Sequence, residues 1–273
     1  MERTQKNSAP DTRLLLLTSD HWRHHLTADV LARNFNLVGI VSERRRRLQE
    51  GMTKEEDRII KEYDEECAKK EEAYFGHAKE FPLAEDKVLR VSYGAGSGDK
   101  AYGWINERQP DYVALFSSSI IRGPLLDDYE GRMINLHLGL TPYYRGAANA
   151  FWPLVNGEPE CLGATVHLVG SGLDRGDVLG QARPPNLSED DGPRDASNKN
   201  VLSGIDLLVR CIRGYAWGTI APVGQRLDIG REHRHRDYHA GAILAMKEKF
   251  AKGMMREYLK NKEARDRAKP IVD

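Results

Sequence analysis

Short apolar runs alternate with segments of helical hydrophobic spacing along the first half of the chain. Residues 13–18 (RLLLLT) and 37–41 are apolar runs typical of buried strands, and residues 22–35 carry apolar positions at helical spacing. The same patterns predict strands at 88–92, 112–116 and 133–137 and a helix at 100–107. Because a strand, a helix and a strand in this order favour right-handed parallel crossovers, we expect an α/β fold with a Rossmann-like, doubly wound, mostly parallel sheet of about five to seven strands.

A charge-rich segment, residues 44–80, interrupts this alternation. Thr53 and Glu56 have capping-box spacing at the start of a helix whose apolar residues share one side, namely Ile60, Tyr63, Cys67 and Tyr74. We predict a helical insertion here, and we favour a solvated helix packed on the domain edge over a substrate lid. The basic run at residues 44–47 (RRRR) could hold a substrate phosphate.

The last part of the chain predicts helices without a further strand. Residues 196–215 have the spacing of a long amphipathic helix, Pro222 then breaks the chain, and residues 239–262 form a second amphipathic pattern. We expect the second helix to pack on the body or on a second subunit, so a homodimer is one open expectation. The predicted organisation is a domain at 11–216 that includes the insertion, followed by a small, mostly helical extension at 217–273.

Composition narrows the classes of partner and compartment. The 41 basic residues equal the 41 acidic ones, so no overall charge favours a nucleic acid or membrane partner. The first residues have no apolar signal-peptide core, no apolar run has the length of a membrane span, and the three cysteines are isolated, which together predict a cytoplasmic protein. Residues 231–239 contain three histidines at irregular spacing without a carboxylate or cysteine frame, so no metal site is predicted.

Three residues with chemistry of their own lie near the ends of predicted strands. Asn135 and His137 are two residues apart in the strand at 133–137, so their side chains share a direction. Asp174 follows His137 by 37 residues, just after another predicted strand. An amide donor, an imidazole and a carboxylate can together move an acyl group without a covalent enzyme intermediate.

Four sequence pieces in a fixed order carry a family resemblance. They are Asn135-Leu136-His137, the segment TPYYRG at 141–146, the segment GATVH at 163–167 and the segment LDRG at 173–176. This series resembles the folate-dependent formyltransferases, a family that includes glycinamide ribonucleotide, methionyl-tRNA and sugar N-formyltransferases. The resemblance is strong over 112–184, extends back to Leu14 and is absent beyond about Ala216. Gly139 and Arg175 depart from the family pattern, which indicates an acceptor different from the best-known substrates.

The resemblance implies an enzyme that transfers a formyl group from the co-substrate 10-formyltetrahydrofolate to a primary amine. Asn135 and a protonated His137 would stabilise the oxygen of the tetrahedral intermediate. Asp174 would raise the pKa of His137 and accept or relay the proton of the amine. Hydrolysis of the same donor and non-catalytic folate binding are the two alternatives.

Binding residues follow from the same resemblance. Ser119, Ile120 and Ile121, together with Asp174, would line the slot for the pterin ring, largely through backbone groups. Four residues are predicted to contact the acceptor: Tyr144, Arg145, Asn149 and Trp152. For Arg145, bracing its loop through backbone carbonyls is an equal alternative, Asn149 and Trp152 could instead face the core, and His167 is expected to be structural. The turn after the first strand lacks the glycines of a dinucleotide site, so a nicotinamide cofactor is not predicted.

The extension distinguishes among the members of the family. Methionyl-tRNA formyltransferases carry a β-barrel after the catalytic domain, and the residues after Ala216 have neither the strand pattern nor the basic balance for one. A small-molecule amine is therefore favoured over tRNA. The helical insertion and the additional helix resemble those of sugar-modifying members, which makes a nucleotide-linked amino sugar one candidate acceptor.

Overall fold

A seven-stranded, mostly parallel sheet organises the protein. The computed structural model describes residues 11–44, 52–170 and 172–272, and the strand order is β3-β2-β1-β4-β5-β7-β8, with a separate pair formed by β6 and β9. The strands are β1 (Arg13–Ser19), β2 (Asn36–Glu43), β3 (Val88–Val91), β4 (Tyr112–Phe116), β5 (Met133–His137), β6 (Tyr144–Gly146), β7 (Ala164–Leu168), β8 (Val178–Ala182) and β9 (Arg231–His233). Strands β1 to β5 are mutually parallel and β7 is antiparallel to both of its neighbours, so the prediction of a doubly wound, mostly parallel sheet is confirmed.

Helices cover both faces of this sheet. They are α1 (Trp22–Asn34), α2 (Lys54–Phe75), α3 (Asp99–Arg108), α4 (Pro124–Asp128), α5 (Trp152–Asn156), α6 (Pro193–Ala216), α7 (Ala240–Ala251), α8 (Met254–Lys260) and α9 (Lys262–Ala268). Leu14 and Leu16 of β1 pack with α1 and α6, whereas Leu15 and Leu17 pack with α3 and α4. Successive side chains of a strand point to opposite faces, which explains why the central strand is a continuous apolar run.

The carboxyl ends of the central strands meet along one edge of the sheet. Thr18 of β1 is paired with Phe116 of β4, and Phe116 is paired in turn with Leu136 of β5. Glu43 ends the parallel strand β2 on the other side of β1. Open α/β sheets bind ligands at this edge, and His137 is the last residue of β5 there.

The predicted insertion contains one helix, α2, which packs against α1, α6 and α7. Its capping box is present, because Thr53 Oγ1 accepts a hydrogen bond from Glu56 N at 3.2 Å and Glu56 Oε2 accepts one from Thr53 N at 3.0 Å. Phe75, rather than the half-buried Tyr74, ends the buried side of the helix. These contacts support the packed helix over a lid, and residues 45–47 of the basic run lie outside the described residues.

The extension contains a strand that the sequence pattern does not predict. Strand β9 pairs in parallel with β6, so part of the predicted loop at 143–146 is a strand. The predicted helix at 239–262 is two helices, α7 and α8, because Gly253 between them has a φ of 84° that a helix cannot contain. Within the described ranges, no helix combines the length and the apolar character needed to cross a membrane.

Candidate active site

Asn135 and His167 lie opposite each other on the neighbouring strands β5 and β7. Asn135 Nδ2 lies 3.0 Å from His167 Nε2, and His167 Nδ1 lies 2.8 Å from the carbonyl oxygen of Leu168. Because a carbonyl oxygen only accepts, His167 Nδ1 donates to Leu168 O, which fixes the ring with Nε2 facing the Asn135 amide. His167, which we expected to be purely structural, therefore orients Asn135.

His137 is 7% exposed and both of its ring nitrogens have protein neighbours. Nδ1 lies 3.3 Å from Asp174 Oδ2. Nε2 lies 3.1 Å from the carbonyl oxygen of Tyr144 and 3.2 Å from Asn149 Nδ2. The Asn149 amide is oriented by a second hydrogen bond, which Nδ2 donates to Gly146 O at 2.9 Å.

Gly139, one of the two departures from the family pattern, makes room for this arrangement. A Cβ atom at this position would lie 2.7 Å from His137 Nε2 and 2.7 Å from Asn149 Cβ, well inside van der Waals contact. The absence of a side chain at 139 is therefore what allows Asn149 to approach the imidazole.

Asp174 is held by groups from three parts of the chain. Its Oδ2 accepts a hydrogen bond from Gly146 N at 2.8 Å, its Oδ1 lies 3.5 Å from His167 Nε2, and its backbone has a φ of 50°. Burial alone would raise the pKa of Asp174, but His137, His167 and the Gly146 N–H together hold it well below its ordinary value. The carboxylate is therefore ionised at neutral pH.

The protonation state of His137 differs from our expectation. Burial disfavours the charged imidazole and lowers the pKa of His137, and the opposing effect of the Asp174 charge does not offset it. Asp174 raises the pKa of His137 as predicted, but burial lowers it by more, so the prediction of a protonated His137 is wrong for this site. His137 is mostly neutral at neutral pH, with the hydrogen on Nδ1 facing Asp174.

The predicted pterin loop follows β4 along the same edge. Ser119 donates through its backbone N to Glu43 Oε2 at 2.7 Å and through Oγ to Glu43 Oε1 at 2.8 Å, and Gly96 N donates to Oε1 at 2.7 Å. Ile120 is 57% exposed, whereas Ile121 is 5% exposed and packs in the core. The Ile121 side chain is therefore turned away from any ligand at this edge, and its backbone contact with the pterin ring stays a prediction. Glu43 thus connects the loop of Gly96 with the loop of Ser119, a role that the sequence reasoning missed. The signal that could have revealed it is a carboxylate at the end of a mostly apolar strand.

Two of the predicted acceptor contacts are buried instead. Tyr144 is 1% exposed, and its hydroxyl donates to the Glu158 side chain and accepts from Asn156 Nδ2 at 3.0 Å. The Trp152 ring stacks on His233, with the ring centroids 4.3 Å apart. The structure does not support the prediction that these two side chains contact an acceptor, because β9 covers them.

Arg145 and Asn149 have different outcomes. Arg145 is buried, and its Nη1 donates to Ile229 O at 3.2 Å, which supports the bracing alternative. Asn149 lies in the site beside His137, as described above, and its acceptor role stays a prediction. Among the residues that the structure describes, no group of three or more His, Cys, Asp or Glu side chains is placed to hold a metal ion.

Residues 84–209 match the family model of the formyl transferases. This segment is similar to the formyl transferases. A curated relative, the methionyl-tRNA formyltransferase of Clostridium botulinum, is 34% identical over 122 residues, which are 44% of this chain and 39% of the relative. The chain thus spans about two fifths of the length of that relative. These matches confirm the family resemblance.

Solved structures of formyltransferases share the fold of this chain. Glycinamide ribonucleotide transformylase 1 from Symbiobacterium toebii aligns with a TM-score of 0.55 and 20% identity over 84% of this chain and 100% of its own. The sugar 3N-formyltransferase WlaRD, solved in the presence of dTDP and 5-N-formyl-THF, aligns with a TM-score of 0.51 and 13% identity over 84% of this chain and 71% of its own. At these identities the likeness concerns the fold, which agrees with the expected formyltransferase type.

Proposed function

We propose that the protein transfers a formyl group from 10-formyltetrahydrofolate to a primary amine of a small molecule. The observation that carries this proposal is the cluster of Asn135, His137 and ionised Asp174 at the carboxyl edge of the sheet. The match to the formyl transferase model supports the reaction class. Neighbours of the same fold, such as WlaRD, were solved with a formylated folate, which supports the donor.

The neutral state of His137 assigns it the role of general base in this reaction. As the amine attacks the formyl carbon, His137 Nε2 takes the proton that the amine loses, and the resulting imidazolium is stabilised by Asp174 at Nδ1. The Asn135 amide donates to the developing oxyanion, a contribution of about 3 kcal/mol for one such donor. His137 then returns the proton to N10 of the folate as the bond between N10 and the formyl carbon breaks.

Asn149 is placed to orient the attacking amine. Its Oδ1 is buried and has no hydrogen-bond partner among the described residues, while its Nδ2 lies 3.2 Å from His137 Nε2. A buried acceptor without a donor is costly, so an amine N–H that donates to Oδ1 would remove that cost. The same contact would bring the amine next to the base that deprotonates it.

The donor slot is proposed at the loop of Ser119, Ile120 and Ile121. Glu43 holds the backbone of this loop from below, and Ile120 leaves an apolar side chain at the rim. A rigid loop with an exposed apolar group suits a flat heteroaromatic ring that is recognised through backbone hydrogen bonds.

For the acceptor we propose a nucleotide-linked amino sugar. WlaRD, whose fold is similar, is a sugar 3N-formyltransferase that was solved with dTDP. The curated relative at higher identity is a methionyl-tRNA formyltransferase, but the match covers 39% of its length. Methionyl-tRNA therefore belongs in any acceptor panel.

The test measures tetrahydrofolate release from 10-formyltetrahydrofolate by the purified protein. Each reaction contains no amine, a nucleotide-linked amino sugar, glycinamide ribonucleotide or methionyl-tRNA, and is repeated with His137→Ala. The matched control is His77→Ala, since His77 is an exposed histidine after α2. Release that needs one amine, is lost in His137→Ala and persists in His77→Ala is the expected result. Release without any amine would indicate a hydrolase, and donor binding without turnover would refute an enzymatic role.

A further inference from the structure

We propose that residues 223–233, which follow the matched family segment, belong to the active site, and that Gln225 is a positioning residue for Asp174. The family model matches residues 84–209, so nothing in the match assigns this segment a role. The effect on activity rests on the proposed function, because it is measured as formyl transfer. The structural part of the inference can be tested without that activity.

Gln225 binds both sides of the turn that carries Asp174. Its Nε2 donates to Asp174 O at 3.2 Å and also to Gly176 O. Asp174 has a φ of 50°, a conformation that a non-glycine residue keeps only when its surroundings fix it. Val223 pairs with Val178 through two backbone hydrogen bonds of 2.8 Å, which anchors the segment beside the strand that follows the turn.

The same segment also holds the backbone donor of the carboxylate. Gly146 N donates to Asp174 Oδ2 at 2.8 Å, and Gly146 is part of β6, which pairs with β9. Ala147 N donates to His233 O at 2.8 Å, and a Cβ on Gly146 would collide with that oxygen. Residues 223–233 therefore fix both the main chain of Asp174 and the N–H group that its side chain accepts.

Gln225 acts through Asp174, since it binds the backbone of that residue and not the imidazole. Asp174 Oδ2 lies 3.3 Å from His137 Nδ1, so a small displacement of the turn changes the contact that stabilises the imidazolium. Loss of the Gln225 amide should thus lower kcat and leave the donor KM unchanged. A merely structural role would instead lower the thermal stability and affect both constants in parallel.

Gln225→Leu and Gln225→Glu separate the amide donor from the volume of the side chain. Both variants remove the donor, and the second keeps the length of glutamine. We expect kcat to fall about 5- to 100-fold in both, with the donor KM within about twofold of the parent value. Arg33→Leu is the control, because Arg33 lies on α1 outside residues 223–233, is exposed and pairs with Asp29. The thermal midpoints of all three variants should agree.

A second measurement, the titration of His137, tests the inference without depending on which reaction the protein catalyses. The titratable side chains that face His137 are Asp174 and His167, and a displaced Asp174 should lower the pKa of His137 in Gln225→Leu, which introduces no new charge. NMR titration of protein with isotope-labelled histidine measures the pKa of His137 directly. If the parent protein transfers no formyl group to any amine but the titration changes, the proposed function fails and the positioning role stands. An unchanged His137 titration together with unchanged kcat in both variants would overturn the inference.

Discussion

Replacing Asp174 by asparagine tests the charge of the carboxylate at constant shape. Oδ2 of Asp174 accepts from Gly146 N and lies beside His137 Nδ1, and both of these groups carry hydrogen. In Asp174→Asn the amide oxygen must take that position, which places the new NH₂ group where Oδ1 lies, 3.5 Å from His167 Nε2. The geometry of the site can therefore survive while its negative charge is lost.

The expected loss follows from the distance between the two groups. A unit charge pair at 3.3 Å interacts by about 5 kcal/mol at an effective dielectric constant of about 20. If about half of this stabilisation of the imidazolium is realised in the transition state, kcat falls about 70-fold. The donor KM should change little, because asparagine keeps the shape of Asp174 and the oxygen that accepts from Gly146 N.

The direction in which the pH profile of kcat moves is an independent test of the same roles. Since the base is the neutral form of His137, activity rises as pH rises through the His137 pKa, and burial places that pKa below its ordinary value. Removing the Asp174 charge lowers this pKa further, so the acid limb of the kcat profile should move to lower pH in Asp174→Asn. The assay is the initial rate of tetrahydrofolate release at saturating amine between about pH 5 and about pH 8. A plateau close to that of the parent protein, or an acid limb at higher pH, would refute the assigned roles.

Three further substitutions test the oxyanion donor, the packing at Gly139 and a buried ion pair on α2. Asn135→Ala should lower kcat about 100-fold with little change in the donor KM, measured by steady-state kinetics. Gly139→Ala places a Cβ 2.7 Å from His137 Nε2, so it should lower kcat more than about tenfold and the free energy of unfolding in urea by about 1 to 3 kcal/mol. Glu71, buried beside Arg23 and Arg194, has a pKa of about 2 instead of 4.5. Its folded-state pKa is lowered, so about 3 kcal/mol of stability should be lost as pH falls from about 4.5 to about 2, and urea unfolding of Glu71→Gln should show a flatter pH dependence.

The parts of the fold that were predictable are those encoded by local hydrophobic periodicity. The run at 13–18 is apolar at every core position because both faces of β1 are covered, and the N-x-H spacing of Asn135 and His137 fits a strand with a period of two residues. Strand β9 carries the sequence REH, which has no apolar pattern. It forms because β6 offers a free edge, a long-range contact that no local window contains.

The protonation state of His137 shows a second limit of sequence reasoning. Spacing and resemblance placed Asp174 near the His137 imidazole, and the nearby carboxylate alone would raise the pKa of His137. The opposite direction results because burial of the ring outweighs the neighbouring charge. Burial depends on Asn149 and on the Tyr144 backbone that close around His137, and those contacts exist only in the folded chain.

Under the proposed function, we expect the reacting groups and the determinants of acceptor specificity to lie in two different parts of the chain. The groups that we assign to the chemistry lie between Asn135 and Asp174, inside the matched segment. The shape of the loop around Arg145 depends on Ile229 and β9, which lie outside it. In the proposed reaction the amine approaches His137 beside this loop, so we expect residues 223–233 to influence which amines fit, although they supply none of the reacting groups. Two formyltransferases with the same Asn, His and Asp could therefore differ in acceptor through this segment alone.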